Sequence, residues 1–490
     1  MRFQRSSTGE VVALDDRHKL GAGGEARIFI WPRDESLVAK IWHKPTLERN
    51  RKVRVMHANP PSDPMAGQSH HSIAWPCDLL HLPGRADYLV GFLMPRVVGM
   101  RPIGEFAHPR TRREKCPLFN SFYLHRTARN LATALRAIHE RGYVVGDLNE
   151  SNVLVAETAL VTLVDTDSFQ VWDAEAGKTY RCRVGKPEYT PPELQGKRFP
   201  DVDRAPEHDR FGLAVLLFQL LMEGTHPFAG VFQGRGDPPP LEQRIAAGHF
   251  AFAGDPRVPY APAPTAPPYQ LLFPGLRDLF QRCFLDGHFR PSLRPDPQSW
   301  QWMIEEAESH LVSCWANAQH VYGDHLSECP WCARAQLLGG RDPFPSPEAV
   351  KAGEHLRPPP KASPSLPGAR SGTTRSRRPV PLPPPIPSSG SGPRTSPSGP
   401  GRRPRPLLGD WNDWAWVGAF FAGLTVISAY SFHWRGNPAS FLLGLLSLMT
   451  GIVGEAKSQR PEIDGRGKWL ARSAIAIGLG GVLWGMLGSY

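Results

Sequence analysis

The sequence predicts an α+β protein arranged in roughly two lobes, and three stretches carry that reading. "LGAGGEARIFIWPRDESLVAKIWHK", from Leu20 to Lys44, reads as strand, glycine-rich loop, strand, turn and strand. "RTARNLATALRAIHERG" places Leu131, Leu135 and Ile138 at i, i+4 and i+7, an amphipathic helix ended by Gly142. "NVLVAETALVTLVD" holds two apolar, β-rich runs, Val153–Val155 and Leu160–Val164, joined by a short polar turn, which predicts a hairpin.

In the first stretch, Gly21 and Gly23 lack a Cβ, so backbone amides there can approach phosphate oxygens. Lys40 on the third strand would reach the same phosphates. "DYLVGFLMPRVVG" reads as a strand running into a connection between lobes. Glu48 is the sole acid of "TLERNRKVRVMHAN", the segment after Lys40, and so the candidate to pair with it. The amphipathic helix delivers the chain into "VGDLNESN", which puts Asp147 and Asn152 on the loop entering the hairpin, with Asp165 at its exit. Two carboxylates and an amide oxygen are hard ligands that suit Mg²⁺ on phosphates, with one carboxylate left to receive a proton. Asp167, two residues beyond Asp165, is read first as capping a turn, as Asp commonly does, with an acid supporting the metal site or an added metal ligand as the alternative.

These motifs follow one another in the order of a known family. From about Leu20 to Trp300 the chain resembles a Hanks-type (eukaryotic-like) bacterial protein kinase. "GAGGEA" is similar to its glycine-rich loop, with Ala26 at the third glycine, and "VAK" supplies Lys40. "VGDLNESN" resembles the catalytic loop and "DTD" stands where that family has D-F-G. "GKPEYTPPE" resembles the end of an activation segment, with Pro192 and Glu193 in the A-P-E position. "HDRFGLAVLLFQLLMEGTHPF" resembles the buried helix that follows, with Asp209 as an anchoring acid, and "RPSLRP" offers Arg294 as the partner of Glu193.

The resemblance implies a bilobal fold, with a small β-rich N-lobe and a larger helical C-lobe over residues 1–310. It implies ATP and Mg²⁺ (or Mn²⁺) as cofactors and a protein substrate phosphorylated on Ser/Thr. Asp147 would be the base, Asn152 and Asp165 the metal ligands, and Lys40, Gly21, Gly23, Met94 and Val97 the nucleotide contacts. Core packing is the other reading of Met94. A phosphatase and a von Willebrand-type domain protein are partners that similar kinases keep. Two departures stand out. Gly146 replaces the Arg that precedes the catalytic Asp, so control by an activation-loop phosphate is not expected. Asn149 replaces the catalytic-loop Lys, and "GD" before "LxxxxN" also resembles aminoglycoside and choline kinases. A small-molecule kinase and a nucleotide-binding pseudokinase scaffold therefore stand as alternatives.

Beyond this part, "SCWANAQHVYGDHLSECPWCARA" brings Cys314, His320, Cys329 and Cys332 into a short module, residues 311–338. The C-x-x-C pair suits two ligands of one tetrahedral zinc ion, completed by Cys314 and His320, with His325 the rival imidazole. Cys77, Cys116, Cys182 and Cys283 are read as core thiols. Seven cysteines scattered this widely do not form a secreted disulfide framework.

Residues 339–409 read as a disordered linker rich in Pro, Ser and Arg. Arg357 to Gly409 contains ten Lys/Arg and no Asp/Glu, so most of the net charge of +11 sits there and does not point to nucleic acid. Residues 410–490 hold three uncharged apolar runs, Trp414–Phe432, Pro438–Gly454 and Ser473–Tyr490, read as transmembrane helices, with a small buried helical domain as the alternative. Five Lys/Arg between the second and third runs place that loop and the linker in the cytoplasm. The expected location is a multi-pass protein of the cell inner membrane with its kinase-like part cytoplasmic.

Overall fold

The computed structural model describes residues 1–357 and the backbone of Arg378–Pro379. The rest of the linker and the three apolar runs lie outside the described residues, which all belong to one compact unit. Among the described residues no helix is long and apolar enough to cross a membrane.

The N-lobe is a seven-stranded antiparallel sheet. Its strands are β1 (Arg2–Arg5), β2 (Val11–Ala13), β3 (Lys19–Ala22), β4 (Ala26–Ile30), β5 (Leu37–Trp42), β6 (Asp78–His81) and β7 (Leu89–Pro95), in the order β2-β1-β6-β7-β5-β4-β3. Alternation along β5 divides its work. Ala39 and Ile41 enter a small core with Trp31, Phe29 and Leu93, whereas Lys40 and Trp42 point to the other face. A side chain at Gly91 would strike the Lys40 carbonyl, so β7 lies this close to β5 only because position 91 has no Cβ. Helix α1 (Leu47–Ala58) is capped by the Thr46 hydroxyl and tied to β7 by Asn50, which exchanges two hydrogen bonds with the Leu89 backbone, 2.6 and 2.8 Å.

In the C-lobe, β8 (Arg101–Pro102) and the short helices α2 (Ile103–Ala107) and α3 (Pro109–Lys115) lead into α4 (Ser121–Glu140). Helix α4 buries Leu131, Leu135 and Ile138 completely and stops where Gly142 takes a φ of +84°. The hairpin follows as β9 (Val153–Val155) and β10 (Val161–Leu163), then β11 (Val171–Asp173) with β12 (Lys178–Tyr180). Helix α5 (Pro206–Leu221) is apolar all round from Phe211 to Phe218, and that stretch is buried, as such a segment must be. The lobe closes with α6 (Leu241–Ala246), the paired β13 (Val231–Phe232) and β14 (Tyr260–Ala261), α7 (Pro274–Gln281), α8 (Gly287–Phe289) and α9 (Pro297–Ser309). Helix α9 lies on α4, where Arg126 forks onto Glu308 at 3.0 and 3.1 Å.

The chain then forms the hairpin β15 (Leu311–Ser313) and β16 (Val321–Gly323), and helices α10 (Pro330–Leu337) and α11 (Pro347–Lys351). Composition assigns residues from 339 onward to the linker, yet Phe344 is fully buried and α11 follows it. One aromatic anchor outweighs its Pro- and Gly-rich surroundings. Cys314, Tyr322, Trp331 and Phe344 join the same apolar core as α4 and α5, so this module is continuous with the C-lobe. Cys116, Cys182 and Cys283 are buried thiols as expected, while Cys77 is exposed, a correction.

Glu193 and Arg294 meet as a two-pronged ion pair, 2.7 Å in each arm, with Arg294 wholly buried. Glu193→Ala leaves that guanidinium without its carboxylate and is expected to cost about 3–5 kcal/mol. Denaturant unfolding monitored by circular dichroism checks this, with Glu193→Gln expected to lose less because it still accepts a hydrogen bond.

Candidate active site

The site is built where three loops meet beneath β5. The first is the turn between α4 and β9, whose shape is dictated by Asp209 of α5. This buried carboxylate accepts the backbone N–H of Val145 (2.7 Å) and Gly146 (2.8 Å) and lies 2.9 Å from His139 Nε2. The anchoring role expected of Asp209 is thus visible in its contacts. Gly146 has a φ of +73°, and a Cβ there would run into Cys182, so the position requires glycine on both counts.

Asp147 follows. Its carboxylate accepts from the side-chain amides of Asn149 (2.7 Å) and Asn152 (3.3 Å), and its carbonyl from the same two groups. Burial raises the Asp147 pKa, against the two amides that favour its charged form. Asn149, which stands in place of a lysine, thereby orients the carboxylate. A nearby cation comes from elsewhere: Lys186, on the segment before Glu193, reaches Glu150 (2.6 Å) and Ser151 (2.8 Å) beside Asp147. Nothing local in the sequence signals that placement.

Asp165 leaves β10 in the left-handed region, φ 57° and ψ 36°, a conformation Asp tolerates better than most residues and one that clusters at functional sites. The next residue, Thr166, is buried and donates to the Ala74 carbonyl at 2.8 Å, which fixes the turn. Lys40 Nζ lies 2.7 Å from Asp165 Oδ1 and 2.5 Å from Asp167 Oδ1. Two expectations are corrected here. Glu48 does not pair with Lys40; it is on the first turn of α1 and binds Arg183 at 2.9 Å and Lys178 at 3.7 Å. Asp167 does not cap a turn; its carboxylate is mostly buried against Lys40. Among the buried residues of α1, the charged one is Lys52, without a sequence signal for this role. Burial pushes the Lys52 pKa down to about 8, with Asp167 opposing. Burial would likewise lower Lys40, but Asp167 and Asp165 hold it above its usual value.

The donor set has the chemistry of a divalent-cation site. Asn152 turns its N–H groups to Asp147, leaving Oδ1 as a hard oxygen, and Asp165 is half exposed, so the pair fits Mg²⁺. The nucleotide-side residues are distributed along the N-lobe. A Cβ at Gly21 or Gly23 would meet nothing within 4 Å, so the loop borders open space, although the Gly23 amide closes its own turn on Ala26 at 2.9 Å. Met94 is the penultimate residue of β7, partly buried against the main core, and Val97 lies beyond it in the connection to the C-lobe. The Cys314, His320, Cys329 and Cys332 ligand atoms also converge, within 4.8 Å of one another, at a place separate from this site; His325 instead faces the Gln270 carbonyl at 3.2 Å.

Asp167→Asn leaves Lys40 and Lys52 sharing Asp165 alone. Its expected cost is about 3–5 kcal/mol in calorimetric unfolding, against about 0.5 kcal/mol or less for an Asp that only shapes a turn. Adding Lys52→Met should recover part of the loss, the sign of a coupled pair in a double-mutant cycle.

No family model matches the chain. Over 331 residues it is 35% identical to protein kinase YegI of Escherichia coli strain K12, an alignment covering 67% of this chain and 49% of YegI. The YegI of Escherichia coli O157:H7 matches equally, at 35% over 331 residues. A probable cAMP-dependent protein kinase catalytic subunit of Encephalitozoon cuniculi is 35% identical over 115 residues, 24% of this chain and 33% of its own. The solved ROP18 kinase domain in complex with AMP-PNP and sucrose gives a TM-score of 0.39 at 17% identity, over 63% of this chain and 83% of that one. This chain spans about half the length of the YegI proteins it matches. By its sequence, then, the chain is similar to the protein kinase YegI of Escherichia coli over two thirds of its own length.

Proposed function

We propose that the chain is an ATP-dependent protein kinase that transfers the γ-phosphoryl group to Ser/Thr hydroxyls. The observation that carries the reading is the convergence of Lys40, Asp147, Asn152 and Asp165 on loops held by buried anchors. Phosphoryl transfer needs little covalent help from a protein; it needs positioning and charge. Asp147, aligned by Asn149 and Asn152, accepts the proton of the attacking hydroxyl, and its raised pKa makes it the better base. Mg²⁺ held by Asn152 and Asp165 would supply charge neutralisation at the phosphates. Lys40 holds the donor end, and Asp167 with Lys52 fixes where its ammonium lies.

The activation segment is ordered without a phosphate in this reading. Arg204, buried, donates to the carbonyls of Gly146 (3.1 Å) and Val184 (3.2 Å) and so joins the catalytic loop to that segment by its own side chain. This supports activity that does not wait for a phosphate on the segment.

Full-length protein incubated with labelled ATP and Mg²⁺ is expected to label itself or generic Ser/Thr acceptors. Asp147→Asn should lower transfer about 10²–10⁴-fold while nucleotide binding survives. Nucleotide binding with transfer to no acceptor would establish the scaffold instead. Transfer only to aminoglycoside or choline-like molecules would establish a small-molecule kinase.

The reading extends to a membrane anchor, supported by the hydropathy of Trp414–Phe432, Pro438–Gly454 and Ser473–Tyr490 and by the basic loop between the last two. The full chain should sediment with membranes and resist carbonate, and a chain ending at Pro404 should remain in the supernatant. Carbonate release of the full chain would refute the anchor.

A further inference from the structure

The module after α9 has the ligand spacing of a metal site, and its folding brings the four ligand atoms together. Cys314 directly follows the strand β15 and His320 directly precedes β16, so the loop end of the hairpin presents both. Cys329 is the residue before α10 and Cys332 lies in the first turn of that helix. Cys314 Sγ is 3.8 Å from Cys332 Sγ, and His320 Nδ1 is 3.4 Å from Cys332 Sγ and 3.6 Å from Cys329 Sγ. A zinc ion with Zn–S of about 2.3 Å and Zn–N of about 2.0–2.1 Å in tetrahedral array sets its ligand atoms roughly 3.8 Å apart for S–S and 3.6 Å for S–N. These three edges match, and all four ligand atoms lie within 4.8 Å of one another. They also exceed by far the S–S bond of about 2.05 Å, so no pair here is a disulfide.

The residue that spacing did not reveal is Asp342. His320 Nε2 is 2.9 Å from both of its carboxylate oxygens, which leaves Nδ1 to face the three sulfurs. Asp342 is itself held, accepting from Asn317 Nδ2 (3.2 Å) and from the Phe344 backbone (2.9 Å). A carboxylate behind a ligating imidazole fixes its tautomer and raises its basicity. Phe344 then packs edge-on to Trp331 at 4.6 Å and under the Arg112 guanidinium at 4.5 Å, so the chain beyond the cluster is seated on the C-lobe.

We propose that Cys314, His320, Cys329 and Cys332 bind one structural zinc ion, with Asp342 as the positioning carboxylate for His320. Four protein ligands leave no open position for catalysis, and three thiolates select zinc over hard cations. The ion clamps the hairpin, α10 and residues 341–357 together against the C-lobe, independently of whether the other site transfers phosphate.

The test uses the full-length protein. Elemental analysis should give one zinc per chain, X-ray absorption should report three sulfurs and one nitrogen, and Co²⁺ exchanged into the site should show thiolate charge-transfer bands. Asp342→Asn should retain the fold and the metal but weaken zinc in chelator competition about 10–100-fold. Replacing Cys329 and Cys332 by Ser should abolish metal binding. Overturning results are a chain that takes up neither Zn²⁺ nor Co²⁺ stoichiometrically, a first shell lacking three sulfurs, or an Asp342→Asn protein with unchanged zinc affinity, which would remove Asp342 from the site.

Discussion

The constraint on which the cleft depends is that Lys40 and Lys52 are both buried and must be balanced there. Ammonium groups in a poorly solvated interior are expensive to keep charged unless carboxylates lie close. Asp165 and Asp167 supply them, and Lys40 touches both. Because Lys40 belongs to β5, Lys52 to α1 and the two acids to the turn after β10, charge balance fixes the N-lobe against the C-lobe. The left-handed backbone at Asp165 and the buried hydroxyl of Thr166 are what aim the two carboxylates upward.

A second set of buried groups holds the loop that carries Asp147 and the segment around Glu193. Asp209 collects the amides of Val145 and Gly146, Arg204 collects the carbonyls of Gly146 and Val184, and Arg294 grips Glu193 while also donating to the Glu207 carbonyl at 3.0 Å. Each is buried, where a missing partner is costly and the geometry is correspondingly definite. Helix α5, apolar on every side from Phe211 to Phe218, carries Asp209 at its start and so transmits the packing of the C-lobe core to the loop holding Asp147.

The C-terminal module obeys the same logic at smaller scale. A hairpin of two three-residue strands and a helix of eight residues cannot bury a core of their own. They borrow one: Trp331 and Phe344 enter the C-lobe core, and Arg334, buried, pairs with Glu223 and donates to the Thr265 carbonyl at 3.0 Å.

Much of this was legible in the linear sequence because its signals are local. The β3–β4–β5 pattern, the amphipathic α4 with its terminal Gly142, the β9–β10 hairpin, and the placement of Asp147, Asn152 and Asp165 around that hairpin all follow from spacing and side-chain type. The four proposed zinc ligands after α9 were likewise legible, since they fall within 19 positions of one another. Charge partnership was not. Asp167 lies 127 residues from Lys40, and nothing near either position favours that pairing over a turn cap for one and Glu48 for the other. Only the packing of α1 decided the matter, by turning Lys52 inward and leaving Glu48 at the surface with Arg183. Tertiary structure also claimed Asp342 and Phe344 from a stretch whose composition reads as linker, because a few buried contacts weigh more than the average character of a window. The sequence by itself determined the elements and the residues able to do the chemistry; the tertiary structure decided which charges share the interior, because that depends on distance through space and on burial, neither of which is encoded by position along the chain.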